Sequence, residues 1–195
     1  MTAFAKTVDG KFAAFIHIPK NGGSSVGEWI KANARDGERI SKNRKYQLGQ
    51  HETKRQIFLQ CKRHRGIEPD IYFTVIRNPY ARVVSAFHFY KRQQKIPKTM
   101  NFEEFVKSNE WFRANRPQMS YLDETVKIRI KLENIADEFS IIQDMFGSKK
   151  NLSKVNSTAH KHYSFYYSPM LRDIVYERHQ RDFEELGYEF YNKFE

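Results

Sequence analysis

The chain has 195 residues, of which 39% are hydrophobic and 29% are charged, and its formal net charge at pH 7 is +11. This composition excludes an intrinsically disordered chain, and we expect residues 1–195 to form a single domain with a sizeable core. A positive surface attracts anions of every kind, so the charge does not choose between nucleotides, acidic glycans, nucleic acid and anionic membranes.

Cysteine content and hydropathy bear on where the protein acts. Cys61 is the only cysteine of the sequence, which excludes an intrachain disulfide and fits a reducing compartment. Residues 1–11 lack the apolar core of a signal peptide, and no apolar run approaches the length that spans a membrane. The sequence therefore predicts a cytoplasmic protein without a membrane span.

The first predicted unit is a strand, a glycine-rich turn and a helix that end near Ala34. Residues 12–18 form an apolar run typical of a strand, and apolar residues recur at helical spacing over 25–31. The turn between them contains Lys20, Asn21, Gly22, Gly23, Ser24 and Ser25. Paired glycines let backbone N–H groups approach a ligand, and a helix N-terminus carries about half a positive charge. The turn is therefore predicted to bind an anion such as a phosphate, although similar turns also occur in ordinary connections.

The next stretch is predicted to be a loop followed by a helix. Residues 35–49 are polar and rich in lysine, which predicts a surface loop. Apolar residues at helical spacing predict a helix over 50–62 with His51 at its start.

A second strand, turn and helix begins at Ile71. Asn78 and Pro79 are typical of an N-cap and a first helical position. Arg77 then falls at the carboxyl end of a strand, where open α/β sheets bind ligands, and Ser85 lies two turns into the helix. A guanidinium and a hydroxyl suit a phosphate monoester. The two units together indicate a ligand with two separated anionic groups.

The remaining elements carry less chemistry. A capping box at Asn101 predicts a helix start, alternating apolar residues predict a strand over 126–132, and 135–146 is predicted to be helical. Residues 149–167 are polar and predict an extended loop. Ser168 and Pro169 then open a last helix, which ends before Gly187.

The two phosphate motifs resemble those of sulfotransferases. Residues 20–25 resemble the loop that binds the 5′-phosphosulfate of 3′-phosphoadenosine-5′-phosphosulfate (PAPS). Arg77-Asn78-Pro79, with Ser85 eight residues after the arginine, resembles the 3′-phosphate motif. The resemblance is closest to the branch that contains heparan sulfate 2-O-sulfotransferase and small bacterial carbohydrate sulfotransferases. It is strong over 14–30 and 71–90 and weaker over most of the remaining chain.

The sequence departs from the family pattern at two positions. Asn21 stands where a small or hydroxyl residue is usual, and Ala81 stands where an acidic residue is frequent. Neither departure removes a charge that the cofactor needs.

The resemblance implies a fold and a reaction. The fold is α/β and P-loop-kinase-like, with a central, mostly parallel sheet flanked by helices. The reaction moves the sulfuryl group of PAPS to an acceptor hydroxyl, with Lys20 stabilising the leaving phosphate and His51 as the candidate general base. The expected acceptor is a glycan or glycoconjugate, and no metal is expected. The residues expected to bind the cofactor are those of the turn, Lys20 to Ser25, with Arg77, Ser85, Ser157 and Lys161.

Two other classes of function fit some of these features. A P-loop-like nucleotide kinase shares the strand, turn and helix order, but the lysine precedes the glycines and no magnesium-binding aspartate is evident. A nucleic-acid-binding module fits the positive charge and the interleaved aromatic residues, but the basic residues are scattered. A histidine such as His51 at a helix start is also often only a cap or surface residue. Nucleotide selectivity distinguishes the three classes of function.

Overall fold

The computed structural model describes residues 2–39, 51–108, 115–153 and 160–191. The chain divides into two compact units. The first comprises Met1–Ile76 and Ser120–Asn156, and the second comprises Arg77–Met119 and Ser157–Glu195. The expectation that 1–195 form a single domain stays a prediction.

The elements alternate between strand and helix along much of the chain. The strands are β1 (Ala3–Lys6), β2 (Phe12–Ile16), β3 (Arg35–Arg39), β4 (Ile71–Ile76) and β5 (Ile128–Lys131). The helices are α1 (Gly23–Asn33), α2 (Lys54–Arg65), α3 (Pro79–Arg92), α4 (Phe102–Lys107), α5 (Ile135–Glu138), α6 (Ser140–Phe146) and α7 (Pro169–Leu186). Short 3₁₀ segments cover Gln118–Tyr121, Leu132–Asn134 and Tyr163–Tyr166. None of the helices in the described ranges combines the length and apolar character needed to cross a bilayer.

The five strands form one mixed sheet in the first unit, in the order β3-β1-β2-β4-β5. β2 pairs in parallel with β4, and β4 pairs in parallel with β5. β1 pairs antiparallel with β2 and with β3. Four of these strands therefore run in one direction, which confirms the predicted α/β class with a mostly parallel sheet. The carboxyl ends of β2 and β4 lie at the same edge, where α/β sheets bind ligands.

Alternate residues of the strands pack on opposite faces of this sheet, because side chains of a strand point alternately to its two sides. On one face, Phe15 and Phe73 pack with apolar residues of α1 and α6, including Trp29. On the other face, Ala14 and Ile16 pack with residues of α2. Helices therefore cover both faces, which is what a buried parallel strand pair requires.

The second unit is helical in its described ranges and is held together largely by aromatic side chains. Tyr80 of α3 contacts the rings of Tyr163, Tyr167, Phe183 and Phe190 at centroid distances of 4.8–6.2 Å. Further along α3 and α4, Phe87 contacts Phe102 and Phe105. The aromatic residues of α3 thus form the core packing of this unit.

The predicted helix starts and stops agree closely with the structure. Asn78, Asn101 and Ser168 each accept a hydrogen bond from a first-turn N–H group, as N-caps do. Gly147 and Gly187 end their helices in the left-handed conformation. The helix predicted over 135–146 is present as α5 followed by α6.

Three elements of the structure differ from the sequence prediction. β1 was not predicted, since a strand of four residues is too short to show a hydrophobic period. The loop predicted over 35–49 begins instead with β3, a polar edge strand that pairs only with β1 within the described residues; edge strands are often charged because one side faces solvent. The helix predicted over 50–62 runs over Lys54–Arg65, because Thr53 forms a capping box with Gln56.

Candidate functional site

The turn between β2 and α1 has an unusual backbone conformation. Lys20 has a φ of 69° and Gly22 a φ of 73°, so both are left-handed. A glycine adopts this conformation freely, whereas a residue with a Cβ pays about 1–2 kcal/mol. Strained residues of this kind occur most often at functional sites. Lys20 is half-buried in this turn, which fits the predicted anion contact.

Asn21 attaches the turn to the sheet. Its side chain is 1% exposed, and its Nδ2 donates to the carbonyl of Val75 at 2.8 Å. Val75 lies one residue from the end of β4, so the bond fixes the turn at the carboxyl edge of the parallel strands. Asn21 thus has a structural contact that sequence reasoning did not assign, and its predicted contact with the cofactor stays a prediction.

The first turn of α1 is suited to an anion. Its N-cap is Gly22, which gives no side-chain cap, and no acidic residue occupies the first turn. The leading N–H groups of a helix have no intrahelical acceptor, and their dipoles favour a negative charge. Gly23 and Ser24 supply such groups, and the N–H of Ser25 already bonds to the carbonyl of Gly22 at 3.0 Å.

Two histidines lie beside this turn. The His17 ring is 6% exposed and packs directly on Gly23, where an added Cβ would stand 2.1 Å from Cδ2 of the ring. The His51 ring meets the His17 ring edge to face, with centroids 4.7 Å apart. His17 is therefore a packed residue of the core. It also connects the start of α1 to the candidate base, a link that sequence reasoning missed.

The hydrogen bond of His51 determines its tautomer. Nδ1 of His51 lies 3.1 Å from the carbonyl oxygen of His17. A carbonyl only accepts, so Nδ1 carries the hydrogen. In the neutral ring the lone pair is then on Nε2, which is the nitrogen able to take up a proton.

Arg77 belongs to the second unit and directly precedes the N-cap of α3. Asn78 accepts from the N–H groups of Tyr80 and Ala81 at 2.9 and 3.5 Å, and its Nδ2 donates to the carbonyl of Glu189 at 2.9 Å. Arg77 itself is half-buried. Its peptide N–H and carbonyl are both bonded to the side chain of Gln118.

A buried polar cluster lies behind Arg77. Both carboxylate oxygens of Asp182 accept backbone N–H groups, from Gln118 at 2.7 Å and from Met119 at 2.9 Å. Nδ1 of His179 lies 3.3 Å from the same carboxylate. Nη1 of Arg82 donates to the carbonyls of Asn115 and Arg116 at 3.5 and 3.0 Å. These four side chains, of Arg82, Gln118, His179 and Asp182, are each no more than 1% exposed.

Sequence reasoning missed the role of this cluster. Neither His179 nor Arg82 was given a site role from the sequence. The guanidinium of Arg82 is instead buried against backbone carbonyls. The sequence signal for this cluster is a charged or polar residue within the apolar stripe of a predicted helix. Such residues are almost never buried unless they are paired, so they indicate a buried partner.

The protonation states in the cluster follow from burial and from the bonds. Burial raises the pKa of Asp182, but the bonds from His179 and two N–H groups and the charge of Arg82 together hold that pKa below its ordinary value. Burial lowers the pKa of His179, and the charge of Arg82 lowers it further, against the bond to Asp182. The cluster near neutral pH therefore contains a carboxylate and a neutral imidazole that donates to it.

The other predicted cofactor residues are only partly placed. Ser85 is half-buried on α3. Lys161 is exposed, with its Nζ 5.6 Å from the centre of the Phe165 ring. Ser157 lies outside the described residues. The binding roles of all three stay predictions. Within the described ranges, no group of three His, Cys, Asp or Glu side chains is arranged to hold a metal ion.

Comparison with known proteins identifies a family. The model of the sulfotransferase family matches residues 6–127, which is more than half of the chain. The matched span includes the turn at 20–25, His51, Arg77 and Ser85, and it ends before Lys161 and Asp182. No curated protein and no solved structure matches the chain.

The strain at Lys20 predicts an unusual order of stabilities. We expect Lys20→Gly to have a free energy of unfolding about 1 kcal/mol higher than Lys20→Ala, because only alanine keeps a Cβ at φ 69°. Urea unfolding measures the difference, and both variants lose the same ammonium group. Lys31, in the last turn of α1, is the matched control. At this position, Lys31→Gly should have a free energy of unfolding roughly 0.5–1 kcal/mol lower than that of Lys31→Ala. If the alanine variant is the more stable one at both positions, the strain assigned to the Lys20 backbone is contradicted.

The lowered pKa of His179 predicts that stability falls in mild acid. Below about pH 6.5 the unfolded chain binds a proton at this histidine that the folded chain does not, so the free energy of unfolding decreases as pH falls. Burial and the nearby His160 and Lys91 lower the pKa of His88 and add an effect of the same sign. His179→Asn keeps an N–H donor for Asp182 but does not titrate. Between about pH 7.5 and about pH 5.5, the loss of stability should be smaller in this variant than in the wild type.

Urea unfolding at the two pH values tests this prediction. The exposed Gln180, in the same helix as His179, gives the control variant Gln180→Ala, which removes no titratable group and should lose as much stability as the wild type does. An equal pH dependence in the wild type and His179→Asn would exclude a buried neutral His179.

Proposed function

The chain belongs to the sulfotransferase family, and we propose that it transfers the sulfuryl group of PAPS to an acceptor hydroxyl. The observation that carries this proposal is the turn between β2 and α1. It combines a left-handed Lys20 with a helix N-terminus that has neither a side-chain cap nor a first-turn acidic residue. Such a turn is suited to the 5′-phosphosulfate of the donor.

The proposed reaction is an in-line displacement at sulfur. The acceptor oxygen forms a new S–O bond while the bond from sulfur to the bridging oxygen breaks, and 3′,5′-bisphosphoadenosine leaves. Negative charge develops on that bridging oxygen, by analogy with phosphoryl transfer. Lys20 and the N–H groups of Gly23 and Ser24 would stabilise it, and each such donor typically lowers the barrier by about 2.7–4 kcal/mol.

Arg77 and Ser85 are proposed to bind the 3′-phosphate. The planar guanidinium donates two parallel hydrogen bonds to a phosphate, and the hydroxyl adds a third donor. This contact would fix the register of the donor and distinguish it from nucleotides that lack a 3′-phosphate.

His51 is the proposed general base. Because its Nδ1–H donates to the carbonyl of His17, its Nε2 has the lone pair that would take the proton of the acceptor hydroxyl. The edge-to-face contact with the His17 ring supports a fixed orientation of this imidazole.

The nature of the acceptor is a further part of the proposal. We propose a glycan or glycoconjugate, in line with the carbohydrate-sulfating branch that the motifs resemble. The net charge of +11 favours an acidic acceptor.

We also propose that the protein acts in the cytoplasm. Burial raises the pKa of the Cys61 thiol to about 11, which is consistent with a thiol that stays reduced.

Nucleotide selectivity tests the proposal. By calorimetric titration, the wild type should bind 3′,5′-bisphosphoadenosine and respond little to ATP. Arg77→Ala should weaken this binding by roughly 10- to 150-fold, because hydrogen bonds to charged groups are worth about 1.5–3 kcal/mol. Arg92→Ala is the matched control, since it removes the same charge from the last turn of α3, the helix that follows Arg77.

Three outcomes of this titration would contradict the proposal. A folded wild type that does not bind 3′,5′-bisphosphoadenosine excludes PAPS as the donor. Tighter binding of magnesium ATP would favour a kinase, and binding of an oligonucleotide alone would favour a nucleic-acid-binding module.

Replacement of His51 tests the general base. His51→Asn keeps an N–H donor near the position of Nδ1 but removes Nε2. We expect kcat for sulfuryl transfer from PAPS to fall by about 10²- to 10⁴-fold while the affinity for 3′,5′-bisphosphoadenosine stays nearly constant. The assay follows labelled sulfate on the best acceptor from a panel of acidic and neutral oligosaccharides. His64→Asn serves as the control, and a kcat within a few-fold of the wild type in His51→Asn would exclude His51 as the base.

A further inference from the structure

The peptide of Arg77 is held by one side chain that is distant in sequence. The Arg77 N–H donates to Oε1 of Gln118 at 2.9 Å, and Nε2 of Gln118 donates to the Arg77 carbonyl at 2.8 Å. A carboxamide paired with both backbone groups of one residue imitates a strand partner. The two bonds therefore fix the backbone at the point where the chain leaves β4 and enters α3.

Gln118 is itself held in place. Asp182 of α7 accepts the Gln118 N–H at 2.7 Å and the Met119 N–H at 2.9 Å, one at each carboxylate oxygen. Nε2 of Gln118 also lies 3.4 Å from Asp182 Oδ2. The side chains of Gln118 and Asp182 are both fully buried. This arrangement leaves the carboxamide a single orientation, with its oxygen toward the Arg77 N–H and its nitrogen toward the Arg77 carbonyl.

The cost of burying these groups is an argument for a functional role. A buried carboxylate is stable only when several donors surround it. Asp182 has the two N–H groups, His179 and the nearby charge of Arg82. His179 leaves helical geometry inside α7, with a φ of −122° and a ψ of 20°, where its Nδ1 meets the carboxylate. An apolar contact would join α7 to the 3₁₀ segment Gln118–Tyr121 without the cost of burying a charge, but it would not orient the carboxamide of Gln118.

We propose that Gln118, held by Asp182, is a positioning residue that preorganises Arg77 for the 3′-phosphate of the donor nucleotide. The inference rests on the proposed function, because it assigns Arg77 the phosphate contact. Gln118 does not touch the nucleotide in this account. It acts by fixing the Cα–Cβ direction of Arg77, so that less conformational freedom is lost when the guanidinium binds.

The test is a double-mutant cycle read by calorimetric titration with 3′,5′-bisphosphoadenosine. Gln118→Met keeps the length and volume of the side chain and removes both bonds to Arg77. We expect its Kd to rise roughly tenfold, as for other supporting residues behind a ligand contact. Combined with Arg77→Ala, it should add almost nothing, because a positioning residue has no effect once the residue it positions is gone.

Two further variants separate positioning from stability. Val175→Ala opens a cavity at a fully buried position of α7 that takes no part in the cluster, so it should lower the melting temperature and leave the Kd unchanged. Gln118→Asn keeps the carboxamide but is one methylene too short to reach both backbone groups. It should weaken binding even if Gln118→Met does not fold.

The outcomes distinguish this inference from the proposed function. If the wild type does not bind 3′,5′-bisphosphoadenosine, or Arg77→Ala binds it normally, the proposed nucleotide site is wrong. If Arg77→Ala weakens binding but both folded Gln118 variants bind like the wild type, only the positioning role is overturned. The positioning role is also overturned if the effects of Gln118→Met and Arg77→Ala multiply in the double variant, since the two residues then act independently.

Discussion

The conformation of the turn between β2 and α1 is the constraint on which the rest of the candidate site depends. Asn21 anchors the turn by its bond to the Val75 carbonyl, and Lys20 adopts a left-handed backbone within it. Gly23 lies so close to the His17 ring that no side chain fits there. His17 in turn orients His51 through its carbonyl and its ring. The backbone of the candidate anion-binding turn and the candidate base are therefore parts of one packed unit, in which moving the turn would also move the base.

The second unit fixes the peptide of Arg77, the arginine that is proposed to bind a phosphate. It does so through a buried polar cluster, in which Asp182 bonds to Gln118 and Gln118 bonds to the peptide of Arg77. Burying a carboxylate is expensive, and the bonds of His179 and two N–H groups compensate for it. In both motifs a turn follows a strand and is fixed by a buried side chain. In the first motif this side chain is the amide of Asn21, and in the second it is the amide of Gln118 paired with the carboxylate of Asp182.

Local patterns in the sequence predicted most of the fold. Capping residues such as Asn78 and Ser168, glycine stops and apolar periodicity identify the main helices and the β2 and β4 strands, because each depends on near neighbours in the chain. The β3 strand was predicted as a loop because an edge strand can be polar. The site contacts that were missed join residues far apart, from His17 to His51, from Gln118 to Arg77 and from Asp182 to Gln118. No local pattern indicates such pairs, since only the folded chain brings them together.

The most direct test of the central claim is a crystal structure of the protein with 3′,5′-bisphosphoadenosine. The account predicts the 5′-phosphate within hydrogen-bond distance of the N–H groups at the start of α1 and of Lys20 Nζ. It predicts the 3′-phosphate on the guanidinium of Arg77 and the hydroxyl of Ser85. A nucleotide bound elsewhere, or one whose 5′-phosphate does not touch the turn at 20–25, would contradict the assignment of this turn as the sulfuryl-donor site.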